Sequence, residues 1–533
     1  MLNLQGGVSV RPNSKYSLKQ ARSVDKYTLN DDQLTHPNAI PKYIFNKLMI
    51  TDYRVREFEL NNKARNTYDS DESEDEDDER EDEGDESEDE GDESEDEDDE
   101  SEDEDDEMED DDIGEETGVH PMDAFLRIFH SSDIFLRRYL ATRLSECQLS
   151  VPFLLPDPKT GKSENVTMLL SALQNITKSW KSGSSNNESV QEVFATLHPF
   201  PVVSFIRLGQ PTMSKSFLIN KIMSDGGSNH NFFFHKDMEG GDVERKVVDG
   251  LVELSWYLPG GKPEAILKRE ICFANLRGEA GIFKKQLNVL SKISSILCIV
   301  LPSACPDQTM QNILMRFVRN DTKVILLFNE KLEKSAKKYF DELKSNSDGK
   351  FSLITKAKRR NEYDYLQTIR EGIRKKIDGV NARPLVKISM CANEYDIQLE
   401  DDQIDPEFKA MIDSLLEKGI ERMKKLMTLQ IHIPVLAELE REMYRPKRYG
   451  DKFIKEDNNE IYEKVAKSKE AQKTSLKHLD KDILNCLNHI TMMGELERQK
   501  ALNMLKHRLE IQRSNASLGL EHVIRELAQL YQI

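Results

Sequence analysis

No stretch of the 533-residue chain approaches 18 consecutive apolar residues, and its first residues hold no apolar core behind basic charge. The reading therefore expects neither a membrane-spanning helix nor a secretory leader, and an intracellular, soluble protein. Cysteine is sparse and unpatterned: Cys147, Cys272, Cys298, Cys305, Cys391 and Cys486 show no CxxC pair and no regular spacing. Several lie in apolar runs, which predicts buried free thiols in a reducing compartment. His230, His235 and Asp237 are close in sequence but lack the spacing and the further ligand of a metal site. No Ser-His-Asp or Cys-His constellation is readable. The basic clusters Lys358-Arg359-Arg360 and Arg374-Lys375-Lys376 have no interleaved aromatic residues, so nucleic-acid binding is not expected.

Basic residues are nearly missing from one long stretch. Between Asp69 and Glu116 there are 37 acidic residues and a single Arg, a net of −36. The whole chain carries −22, so the remainder, with 74 basic and 60 acidic residues, carries +14. Like-charge repulsion and the shortage of apolar residues predict a disordered acidic repeat over 67–117. Its unit Gly-Asp-Glu-Ser-Glu-Asp-Glu occurs at Gly84–Glu90 and again at Gly91–Glu97. Ser73, Ser87, Ser94 and Ser101 have acidic residues just downstream, the surroundings acidophilic kinases prefer, and phosphate there would add further negative charge. Two readings stand for the tract: an arm that binds basic proteins such as histones or masks the protein's own basic surface, and a low-complexity spacer.

What is present divides into five parts. Residues 1–66 form a leader and a docking helix, whose amphipathic run Ile40–Leu60 has no core of its own and must pack on something later. The acidic repeat follows, then a helical segment at 118–198, with helices over Pro121–His130 and Ser131–Leu140 and an extended apolar end at Cys147–Pro156. From 199 to 395, strands alternate with helices, the pattern of a doubly wound sheet covered on both faces. From 396 to 533, apolar residues recur at helical spacing and predict an elongated helical bundle, a stalk. Its Met and Leu stripe reads chiefly as core, with a self-association face as the alternative.

The α/β part is organised around Val202–Gly209, an apolar β-branched strand, then a loop ending Ser214-Lys215-Ser216, then the helical run Phe217–Ile222. A phosphate loop requires Gly-x4-Gly-Lys-Ser/Thr, because backbone amides wrap the phosphates, Lys neutralises charge and the hydroxyl holds Mg²⁺. Gly209, Lys215 and Ser216 stand at that spacing, but Ser214 replaces the second glycine and would strain a backbone needing positive φ. The metal-binding Asp-x-x-Gly motif of a GTPase reads here as Asn275-Leu276-Arg277-Gly278, which keeps the shape and loses the charge. The guanine-reading Asn/Thr-Lys-x-Asp motif reads Asn329-Glu330-Lys331-Leu332, in which Asn329 fits while Glu330 and Leu332 do not. The expected fold is thus a GTPase-like doubly wound sheet with a degenerate P-loop, flanked by N-terminal helices and the C-terminal bundle. The expected site is Gly209, Ser214, Lys215, Ser216, Asn275, Gly278 and Asn329. No cofactor is expected to bind firmly; GTP, with Mg²⁺ on Ser216, is the ligand the motifs would suit.

The runs Ile40–Leu60, His120–Pro158, Ser204–Ser216, His230–Gly261, Phe273–Gly278 and Ser517–Tyr531 carry a resemblance. The chain resembles the up-regulator of cell proliferation and interferon-induced very large GTPase family. In that family an intact large G domain lies beyond the segment matching Ser517–Tyr531. This chain stops at Ile533, so the resemblance implies the N-terminal and central part without that domain. It also implies that the motif at Gly209 belongs to a degenerate G-like domain, and that the protein is an interaction scaffold linked to proliferation or innate immunity. Two alternatives stay open: a GTP-binding switch with weak GTPase activity, and an acidic chaperone for basic proteins.

Overall fold

The computed structural model describes residues 15–24, 36–60, 118–157, 165–182, 189–225, 229–260, 264–319, 322–356, 361–388, 394–400, 405–417, 432–444, 454–475 and 480–514, with Leu34, Ala392 and Lys477 between them. The acidic repeat, the triplet at 358–360, Cys391 and the run 517–531 lie outside the described residues.

Four helices precede the first strand: α1 (Leu18–Ala21), α2 (Ile40–Met49), α3 (Pro121–Ser131) and α4 (Ile134–Glu146). Helix α2 buries Ile40, Ile44, Phe45 and Leu48, each worth about 1.5–3 kcal/mol on leaving water. The docking expected of this segment is therefore present, though its helix ends at Met49 rather than running to Leu60. Thr51 takes φ 61°, and the Asp52 carboxylate accepts the Arg54 amide at 2.9 Å, so the chain turns there. Helix α3 starts on Pro121 with the His120 ring accepting the Met122 amide, and α4 starts with Asp133 accepting the Leu136 amide at 2.7 Å. Both are N-caps that satisfy donors the helix itself leaves open.

Strands β1 (Val151–Pro156) and β2 (Val166–Met168) follow, then α5 (Leu170–Leu173) and the hairpin β3 (Thr177–Ser182) and β4 (Ser189–Phe194). The stretch 118–198 therefore carries four strands where the sequence reading has a helical segment. The whole of β1 is buried, the run of a strand covered on both sides. The alternating part continues as β5 (Val202–Arg207), α6 (Lys215–Met223), β6 (Val252–Tyr257), β7 (Ile271–Leu276), α7 (Lys284–Ile293), β8 (Ile296–Val300), α8 (Gln308–Arg319), β9 (Lys323–Phe328), α9 (Lys334–Ser345), β10 (Phe351–Thr355) and α10 (Glu362–Ile377).

All but the hairpin join one nine-stranded sheet in the order β10-β9-β8-β5-β7-β6-β1-β2-β11, closed by β11 (Gln398–Leu399). Strands β10, β9, β8, β5 and β7 run parallel, β6 and β1 are antiparallel additions, and β2 pairs antiparallel to β1 and parallel to β11. The fold is mixed α/β with helices on both faces. On one face Leu218 and Ile219 of α6 and Tyr365 and Ile369 of α10 share a core with Val203, Phe205 and Phe273. On the other, Leu287, Leu314 and Phe340 share a core with Ile206, Leu297 and Leu326, and α2, α3 and α4 extend it.

Five helices complete the described chain: α11 (Pro406–Glu417), α12 (Ile433–Tyr444), α13 (Ile454–Ser475), α14 (Lys481–Met492) and α15 (Glu495–Ser514). Ile412 and Leu415 of α11, Cys486 of α14 and Leu505 of α15 form a separate small core. Cys147, Cys272, Cys298 and Cys486 are buried free thiols, while Cys305 is free and exposed. Among the described residues no helix is long and apolar enough to cross a membrane.

Candidate functional site

The loop leaving β5 places the expected residues at one end of the parallel strands. Gly209 sits at φ +69°, the left-handed region that only glycine enters freely. Ser214 does not behave as expected. It sits at φ −67°, ψ 116°, and its side chain accepts the Phe217 amide as the N-cap of α6. The position that a phosphate loop gives to glycine has become an ordinary cap, so the serine is unstrained and the loop around it has a different path.

Lys215 and Ser216 open α6 and are buried. The Lys215 ammonium donates to the carbonyl oxygen of Leu276, inside the fold. Burial, aided by the Arg207 and Arg277 guanidiniums, holds this ammonium well below the ordinary lysine range. The expected metal ligand, Ser216, has its oxygen facing an amide: Asn275 Nδ2 donates to Ser216 Oγ at 3.0 Å. Asn275 Oδ1 is left buried without a hydrogen-bond partner. That N–H engages one of the two lone pairs of the hydroxyl oxygen, and the neutral amide adds none of the negative charge by which a carboxylate anchors a divalent cation. The pair therefore offers Mg²⁺ one hydroxyl oxygen and no carboxylate. Among the described residues no group of three His, Cys, Asp or Glu side chains could hold a metal.

Two carboxylates that the expected site does not include complete the loop. Glu279 Oε1 accepts the Gly209 amide at 3.3 Å, and Glu330 accepts Thr212 Oγ1 at 3.1 Å and Ser303 Oγ at 3.3 Å. Acceptors of the protein itself thus occupy donors at both ends of the loop. Gly278 lies in the turn after β7 at φ +77°, where a Cβ would come within 2.9 Å of the Phe283 ring. The turn holding Asn329 touches the loop through its neighbour Glu330. Gly209, Lys215, Ser216, Asn275 and Gly278 lie together at this end of the sheet; Glu279 was legible only as a residue beside the motifs, and Glu330 only as a mismatch within one.

Behind the site lies a buried ionic cluster. Glu253 of β6 pairs with Arg277 Nε at 2.6 Å and with Arg56 Nη1 at 3.8 Å. Ser150 Oγ donates to Glu253 at 2.7 Å. Arg56 also donates to the Phe232 carbonyl and Arg277 to the Phe234 carbonyl, at 2.9 and 3.1 Å. The signal available in sequence was a charged residue inside Val252–Tyr257, a strand in which every residue is buried.

These features define a class: a mixed α/β protein built on a large, mostly parallel nine-stranded sheet with helices on both faces. The chain belongs to the up-regulator of cell proliferation-like domain family, whose family model matches residues 119–417, more than half of the 533 residues. It is 25% identical to mouse interferon-induced very large GTPase 1 over 476 residues, 78% of this chain and 19% of that protein. It is 35% identical to human up-regulator of cell proliferation over 187 residues, 35% of this chain and 20% of that protein. Human caspase recruitment domain-containing protein 6 is 32% identical over 182 residues, 33% of this chain and 17% of its own length. The chain spans about a fifth of the length of these curated relatives.

Proposed function

We propose that this chain is an interaction scaffold whose α/β body is a GTPase-shaped domain that no longer cycles nucleotide. Support comes from the strand order β6-β7-β5-β8-β9-β10, in which only β6 runs against the rest, the arrangement of a GTPase core. The observation that carries the reading is Lys215, turned inward onto the Leu276 carbonyl at the position where a nucleotide-binding domain aims its ammonium at phosphate. Asn275 in place of a metal-anchoring carboxylate and Glu330 in the guanine-reading turn point the same way. The family names imply that the scaffold acts in proliferation or innate immunity, through protein partners, in the cytoplasm, the nucleus or both. The acidic repeat would supply contacts to basic proteins, and the C-terminal helices a surface for self-association.

Calorimetry with GTP and Mg²⁺ on the full chain tests this. The expected affinity is weaker than about 100 μM, roughly 5–6 kcal/mol, with no hydrolysis above background. The second reading, a GTP-binding switch, is favoured by Gly209 at positive φ and by Lys215 and Ser216 in the first turn of α6. It predicts a sub-micromolar, guanine-selective signal abolished by Lys215→Ala, and a melting point raised by ligand. That result would overturn the scaffold reading.

A further inference from the structure

The parallel strands have a second end, opposite the Gly209 loop, and lysines converge on it. Lys323 opens β9 and Lys350 immediately precedes β10, its neighbour in the sheet. Lys344 lies in the last turn of α9 and Lys376 in the last turn of α10. The contacts join them through main-chain oxygens. Lys323 Nζ donates to the Lys376 carbonyl at 2.6 Å, and Lys376 Nζ donates to the Lys350 carbonyl at 2.9 Å and the Gly349 carbonyl at 3.4 Å. Burial and then the nearby Lys323 and Lys344 ammoniums lower the Lys376 pKa. Among the described residues no carboxylate pairs with Lys323, Lys344 or Lys376. Elsewhere on the body the pattern differs: Lys375 faces Glu371 at 3.8 Å, Lys285 faces Asp396 at 2.9 Å, and Lys334, Lys337 and Lys338 share the face of α9 with Asp341 and Glu342. Like charges held together without a counter-charge are unfavourable, and an anion relieves them.

We propose that this lysine cluster is a docking surface for an acidic peptide, and that its occupant is the chain's own 69–116 tract, bound within the same molecule. Charge complementarity is the first argument, since the tract holds 37 carboxylates and, among the described residues, none pairs with the Lys323, Lys344 or Lys376 ammonium. Reach is the second. The tract is tied to the body at both ends: Gly240 N donates to Glu59, and Gly118 lies against Val243. The 57 residues between Leu60 and Gly118 form a loop whose midpoint can extend roughly 90 Å. A body of about 300 residues has a radius of gyration of only about 19 Å, so the far end of the sheet is within range. Tethering supplies the third, because many weak pairs on one chain act at high effective concentration. Such contacts weaken with salt. This inference does not depend on whether nucleotide binds.

Carbodiimide cross-linking of the full chain, read by mass spectrometry, tests the proposal, because the reagent joins only a lysine amine and a carboxylate in direct contact. At low salt, the monomer fraction should contain links from Lys323, Lys344, Lys350 or Lys376 to Asp and Glu within 69–116. These links should fall at least about fivefold in 0.5 M NaCl as screening shortens. Lys344 is exposed, so Lys344→Glu keeps the fold and should reduce links at the other three lysines several-fold. Links spread equally over Lys334, Lys337 and Lys338 would overturn the proposal. So would links found only in dimers, or links at the cluster unchanged by salt and by Lys344→Glu.

Discussion

Replacing Glu253 by Gln removes one charge from the most buried ionic cluster of the protein while keeping its shape. Glu253 is 0% exposed, Arg56 1% and Arg277 4%, so no water can take over the lost neutralisation. Removing one partner of a buried pair costs about 3–5 kcal/mol, because the surviving charges stay where solvent cannot reach them. Here two guanidiniums survive, but both keep main-chain carbonyls, and the new amide oxygen still accepts a hydrogen bond. The expected loss is therefore near the lower bound, about 3 kcal/mol, or roughly 6–12 °C in melting temperature for a body of this size. Urea denaturation followed by far-ultraviolet circular dichroism measures it. A pH series sharpens the test. Burial lowers Arg56 to about 10, and Glu253 is the largest opposing influence. A group whose folded pKa is depressed costs stability below that pKa and is relieved as pH rises through it. Arginine stays protonated in proteins across the working range, so that relief lies beyond it and the deficit of the variant should stay level between about pH 6 and 9. A loss under 1 kcal/mol, or a deficit that disappears within that window, would refute the view that Glu253 holds the two arginines by charge.

Two further outcomes follow from the same body. Burial, then Arg277 and Arg245, lowers His120 to about 3, so its neutral ring costs stability progressively as pH falls from about 6.5. His120→Asn keeps an N-cap acceptor for Met122 and should remove up to about 2–3 kcal/mol of the acid-induced loss between pH 6.5 and 4.5; an unchanged acid slope in urea titrations would contradict this. Gly278→Ala places a methyl 2.9 Å from the Phe283 ring and 3.0 Å from Asp249 at φ +77°, and should cost about 1–3 kcal/mol, with a neutral midpoint showing that the turn is not constrained.

Much of the sheet was legible because its strands are apolar on both faces. Runs such as Ile296–Val300 and Val324–Phe328 admit few other readings, and β7 was bounded by the Arg277-Gly278 turn. The spacing of Gly209, Lys215 and Ser216 likewise located the loop. Where the reading fell short, a local pattern was answered by distant partners. Within 118–198 the extended run at Cys147–Pro156 is present as β1, but β2, β3 and β4 were not read, and β1 joins the sheet through β6, about 100 positions along the chain. Helix α10 was not read, since Glu, Arg and Lys dilute it, although Tyr365, Leu366, Ile369, Ile373 and Ile377 recur at helical spacing and are buried. Ser214 looked like a strained substitution and proved to be a cap. The carboxylates of Glu279 and Glu330 meet the loop across 70 and 118 positions, separations that no local window spans.

The Arg56 contact also has a consequence for synthesis. Its guanidinium is completed by Glu253 and, through it, by Arg277, 221 positions later in the chain. At about 5–20 residues per second, a ribosome needs roughly 10–45 s to deliver that partner. Throughout the interval a cation that must later be buried stays in water beside the helix Ile40–Met49, whose packing partners α3 and α4 are made before the sheet. The segment around Arg56 is thus made long before its charged partners, so holdase chaperones should meet the nascent chain there.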